Sequence, residues 1–123
     1  MREEIYFTAS HEWCLVEGEV ATIGITEHAQ AQLGDIVYVD LPEVDDITHQ
    51  GEEIAVVESV KTAADIYSPV AGTVIEVNTE LLDNPGLINV SPMGDGWIYR
   101  CAITDLSPDL LSEEDYDEII KAE

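Results

Sequence analysis

Read from the N-terminus, the chain is a succession of short runs, apolar or alternating, each closed by a turn residue. Period-two runs bury one face of a sheet, so the pattern predicts a β-rich domain. EWCLV and VATIGI flank Glu17-Gly18-Glu19 and predict a hairpin. DIVYVDLP is a strand stopped by Pro42, which has no amide hydrogen to give to a ladder. EEIAVVESV and AADIYSPV are strands on either side of Lys61, GTVIEVN follows after Gly72, and GWIYRCAI is the last. Elsewhere the alternation breaks. TEHAQAQLG predicts a short helix over residues 27 to 33, capped by Thr26 and ended by Gly34 in a left-handed conformation. TELLDNPG predicts a helical turn broken by Pro85-Gly86. SEEDYDEIIKAE predicts a C-terminal helix over residues 112 to 122, with Ser112 as cap and acids in the first turn, where the helix dipole favours them.

GDIVYVD (Gly34 to Asp40) and GTVIEVN (Gly72 to Asn78) share the pattern Gly-x-apolar-apolar-x-Val-Asp/Asn. Two β units of similar design hint at a sandwich with approximate internal two-fold symmetry. A length of 123 residues suits one domain, spanning 1–123, with a single hydrophobic core.

Charge narrows the partners. Four lysines and arginines stand against 27 carboxylates, for a formal charge of −23. Phosphate binding is driven by lysine and arginine, so nucleic acid and anionic membranes are excluded as expected partners. The acidity reads first as a solvated surface; steering toward basic proteins and a high-salt habitat fit it equally. No apolar run reaches a membrane-spanning length and MREEIYF has no signal-peptide core, so a cytoplasmic protein is expected, with a mature organellar form as the alternative. Cys14 and Cys101 lie far apart in strand-like contexts and are expected to be buried, reduced thiols. His11, His28 and His49 show no ligand spacing, and no metal site is expected.

The equipment of an enzyme is missing. There is no GxSxG elbow and no phosphate-binding glycine loop, and the serines fall in turn and cap contexts. With 27 carboxylates, pairs at almost any spacing arise by accident, so none is nominated as an acid/base pair. Lys61 is different: it stands alone amid small and β-branched residues, at a tight reversal between two strands. An exposed hairpin-tip lysine is the ordinary reading. The sharper one is an attachment point, since acylation turns a lysine into a long uncharged arm.

ESVKTAADIYSPVAG (Glu58 to Gly72) resembles the lipoylation segment of the glycine cleavage system H-protein family. SHEW (Ser10 to Trp13), GITEHAQAQLGDIVYVDLPEV (Gly24 to Val44), GLINVSPMGDGW (Gly86 to Trp97) and LLSEEDYDEI (Leu110 to Ile119) match family blocks in the same order. The resemblance thus covers nearly the whole chain. It departs at Asp45, where the family has glycine after Val44, at Cys14 in place of an aliphatic residue, and at Thr62 where alanine is common.

The resemblance implies a barrel-sandwich hybrid of two antiparallel sheets, with short peripheral helices and Lys61 on a hairpin. It implies lipoic acid in amide linkage to Lys61, and a non-catalytic, monomeric carrier. The arm would take an aminomethyl group from glycine on the P protein, a pyridoxal-phosphate decarboxylase. It would present that group to the folate-dependent T protein and be reoxidised by the L protein, dihydrolipoyl dehydrogenase. Ser10, Glu12 and Asp65 are implied as the cleft that shelters the loaded arm, against the plainer reading of Glu12 and Asp65 as solvated acids. Glu58 lies by alternation on the face of Ile54, Val56 and Val60; it is either a partly buried acid or, as the resemblance suggests, an exposed recognition element for the lipoate-attaching enzyme. Biotin carriers place their lysine between methionines, unlike Val60 and Thr62, and the lipoyl domains of 2-oxoacid dehydrogenases carry an Ala/Pro-rich linker that is absent here. An H-like lipoate relay to those complexes shares every motif, and an unmodified acidic interaction module would explain the charge alone.

Overall fold

The computed structural model describes residues 3–106 and 110–122. Among the described residues, nine strands pair antiparallel in two sheets. The larger has the order β1 (Glu3–Phe7), β2 (Glu12–Glu17), β3 (Val20–Ile25), β9 (Tyr99–Leu106), β8 (Val70–Val77), β5 (Ile47–Thr48). The smaller has the order β4 (Ile36–Asp40), β6 (Glu53–Ser59), β7 (Ala63–Tyr67). Their inner faces share one core, which includes Cys14, Ile23, Val39, Val57, Ile66, Val74 and Tyr99. The predicted hairpin turns at Gly18-Glu19 between β2 and β3.

Helix α1 (Glu27–Leu33) begins and ends where its signals said. Thr26 Oγ1 accepts from Ala29 N, and Gly34 ends the helix at φ 80° with its amide on Gln30 O. At the far end, α4 (Glu113–Ala122) is capped by Ser112, whose Oγ accepts from Asp115 N. It packs Tyr116 against Phe7 and Trp13 in a second, smaller apolar cluster. The segment around Pro85-Gly86 forms two short turns, α2 (Glu80–Asp83) and α3 (Leu87–Val90), where the sequence predicted the first.

The final strand starts later than GWIYRCAI suggested. Gly96 N and Trp97 N are taken by Ser91 O and Gly94 O in a turn, so the ladder begins at Tyr99. Apolar character alone could not separate the turn from the strand. Strands β1 and β5 were not foreseen. In the first, Glu3 and Glu4 mask the alternation, and the second is a two-residue bridge.

The two similar sequence units lie in different sheets, β4 in one and β8 in the other. Each carries an irregularity at the equivalent place, between Ile36 and Tyr38 on β4 and between Val74 and Glu76 on β8. The extra residue explains the double apolar pair. Ile36 and Val74 are buried, while Val37 and Ile75 are turned out with 53% and 45% exposure.

Candidate functional site

Strands β6 and β7 converge on Val60-Lys61-Thr62, and the tip is built from backbone. Ser59 N donates to Thr62 O (2.7 Å), closing the turn. Ser59 Oγ accepts from Lys61 N and Thr62 N, both at 3.1 Å, and donates to Thr62 O. Outside the hairpin, Val60 N donates to Asp35 O (3.0 Å), which ties the tip to the turn between α1 and β4. Lys61 is exposed, and its stem lies over Gly34. A Cβ at residue 34 would come within 3.2 Å of Lys61 Cε and 3.8 Å of Nζ. Gly34 therefore serves twice, in its left-handed turn and as bare surface under the lysine.

A cavity of about 300 Å³ opens beside the tip. Its apolar walls come from Ile25, Ala29 and Leu33 on one side and Ala64 and Ile66 on the other, with Ser10, His11, Gln32, Thr62 and Asp65 as polar members. A second cavity of about 320 Å³ continues beyond Ser10 and contains Thr8, Glu12, Gln50 and Tyr67. Ser10 lines both, whereas Asp65 lines only the first and Glu12 only the second. The residues implied as one cleft are thus brought together pairwise, through Ser10. Glu58 lies outside both cavities. It is exposed on the outer face of the smaller sheet, opposite Tyr38 and Ala63, so the partly buried alternative does not hold.

Glu12 is the unusual acid. It is 1% exposed, yet it faces no lysine or arginine among its hydrogen-bond partners. Thr8 and Ser10 hydroxyls each donate to Oε1 at 2.6 Å, and Tyr67 N donates to Oε2 at 3.3 Å. Burial raises its pKa above 4.5, and these donors pull in the other direction without cancelling it. The Tyr67 bond also satisfies an edge amide of β7, so Glu12 bridges the two sheets. Thr8 and Tyr67 were not foreseen from sequence. Thr8 reaches Glu12 only because the chain reverses at His11, whose φ is 72°.

A glycine cleavage H-protein family model matches residues 5–123. The chain belongs to the glycine cleavage H-protein family. Among relatives named glycine cleavage system H protein, one from Thermus thermophilus is 50% identical over 120 residues, covering 96% of this chain and 94% of its own. Another, from Coxiella burnetii, is 51% identical over 123 residues, covering 98% and 95%. The crystal structure of a glycine cleavage system H protein from Mycobacterium marinum superimposes with a TM-score of 0.91 at 35% identity, covering 98% of this chain and 99% of that one.

Within this H-protein family member, the departures noted in the sequence have local consequences. Asp45 sits at φ 80°, a conformation that suits glycine better. Cys14 fits the core without exposure; burial pushes its thiol up to about 12 and raises that of Cys101. Both thiols are free and buried, and burial favours their protonated form. No group of three or more metal-ligating side chains occurs among the described residues, and no described helix is long and apolar enough to cross a membrane.

Proposed function

We propose that the chain is a non-catalytic carrier in glycine cleavage, with lipoic acid attached to Lys61 by a lipoate-attaching enzyme and the P, T and L proteins as its partners. The observation that carries the reading is the exposed lysine on a backbone-locked tip, with its stem directed over Gly34 beside an apolar trough. When bound, the lipoyl group supplies a disulfide able to take up a one-carbon amine fragment together with two electrons. The residues present suit such an arm. Ile25, Ala29, Leu33 and Ile66 offer apolar surface to a hydrocarbon chain, and Asp65 and Ser10 offer polar groups to whatever it carries. An acid within about 4 Å of a protonated amine attracts it by roughly 4 kcal/mol at an effective dielectric near 20, before desolvation. Glu58, exposed three residues before the lysine, is the proposed recognition element for the attaching enzyme.

Mass spectrometry of tryptic peptides tests the attachment. Trypsin does not cut after an acylated lysine, so protein from its native host should yield a peptide running from Glu3 through Arg100 and carrying the added lipoyl mass. Recovery of only the separate peptides ending at Lys61 and Arg100 would overturn the carrier reading. Its glycine-cleavage half is tested by reconstitution with P protein. Lipoylated wild type should stimulate glycine-dependent bicarbonate exchange, whereas Lys61→Arg should not; absence of stimulation by both would favour the relay.

A further inference from the structure

Between Ser10 and Glu12 the backbone does something costly. His11 occupies the left-handed region at φ 72°, where a side chain with a Cβ is disfavoured. Local bonds hold the reversal in part: His11 N donates to Thr8 O (3.1 Å) and His11 O accepts from Thr26 N (3.0 Å). The imidazole also engages the C-terminal helix. Its Nδ1 lies 2.7 Å from Tyr116 Oη, and that oxygen lies 2.6 Å from Thr26 Oγ1. Thr26 Oγ1 already accepts from Ala29 N as the cap of α1. Tyr116 Oη thus lies within hydrogen-bond reach of both the His11 ring and the α1 cap.

The phenol cannot drift. Tyr116 is 3% exposed, stacks on Phe7 with ring centroids 4.8 Å apart and meets the His11 ring edge-on at 5.6 Å. His28 of α1 closes the other side, 4.8 Å from the His11 ring. One hydroxyl therefore joins three parts of the chain: the reversal before β2, the cap of α1 and the body of α4. The reversal presents the Ser10 hydroxyl to Glu12, and α1 supplies Ala29 and Leu33 to the trough beside Lys61.

We propose that Tyr116 is a positioning residue for the arm-binding cavities: through His11 and Thr26, its hydroxyl sets the Ser10–Glu12 wall and the α1 wall, making the C-terminal helix part of the carrier's machinery. The assignment rests on the carrier reading above for its purpose, but the coupling itself can be measured on unmodified protein. Tyr116→Phe removes the hydroxyl and keeps the ring stack. Ile120→Ala is the control, because Ile120 packs in the same small cluster and takes no part in the relay.

In unmodified Tyr116→Phe, NMR should show altered His11 ring-nitrogen shifts and displaced Ser10 and Glu12 amide signals. Amide exchange across residues 10 to 12 should rise about threefold to tenfold, the worth of one hydrogen bond. With the arm lipoylated and loaded, hydrolysis of the S–CH2–NH2 group to thiol, formaldehyde and ammonia should quicken by about the same factor. Ile120→Ala should lower stability without either change. Unchanged Ser10–Glu12 signals in Tyr116→Phe, or equal effects in the two variants, would overturn the proposal. If wild type cannot be loaded, the carrier reading fails while the NMR comparison still decides the coupling.

Discussion

Glu12 shows how much a single residue can hide from its sequence context. Alternation puts it on a strand, and nothing in SHEW announces a carboxyl with 1% exposure fed by two hydroxyls and an amide. Those partners arrive through the His11 reversal and from β7, contacts that no local pattern encodes. Its raised pKa has a defined sign. A carboxyl whose folded pKa exceeds its unfolded value contributes fully to stability below the unfolded value, and the contribution is lost as pH rises through the folded one. Thermal melts of wild type and Glu12→Gln should therefore diverge with pH, wild type losing ground from 4.5 upward. A pH-independent difference would mean that the hydroxyl donors offset burial entirely. Asp45 is the opposite case, legible as a departure from the family's glycine and explained by its φ of 80°. Asp45→Gly should stabilise the protein by about 0.5–1 kcal/mol, the left-handed penalty less the entropy of glycine, read as a higher urea midpoint at unchanged slope. A lower midpoint would show that the aspartate stabilises its turn in some other way.

Elements were more legible than residues, and the reasons are specific. Helix α1 carried both its signals, Thr26 and Gly34, and formed where they stood. The hairpin around Lys61 was marked by strand-forming flanks, although the Ser59 bonds and the tie to Asp35 that stiffen it were not. The repeated Gly-x-apolar-apolar pattern hinted at symmetry and turned out to encode a bulge on each of two strands. Strand β5 escaped because two residues have no measurable period, and β9 starts later than expected because the Trp97 amide is held by Gly94 O in a turn. Gly72 marks a close approach between β8 and β9: a Cβ there would sit 2.1 Å from Ala102 O. Gly72→Ala should force β8 from β9 and cost about 3 kcal/mol, at the upper end for overpacking, measured by urea denaturation. A loss within experimental error would show that the bulge beside it absorbs the methyl.

At the scale of the molecule, fold class and family were readable because ordered motifs span nearly the whole chain, and the architecture follows from them. What composition could not assign was the purpose of a charge of −23. Its energetic consequence is plain: like charges repel within the compact state, and salt screens them. The melting temperature should rise as sodium chloride is taken from about 10 mM to 1 M, where the screening length falls from about 30 Å to 3 Å. A flat profile would mean that the acids are spaced widely enough not to feel one another. The tip tells a different story from the charge. With Ser59 and Asp35 fastening the chain beneath Lys61, an arm built there would start from a point tied to the body of the domain. On the carrier reading, the reach of that arm is bounded by its own length, and any client would have to bring its reaction centre inside that reach. Two clients could then not be served at once, and throughput would follow how quickly each vacates the same small territory.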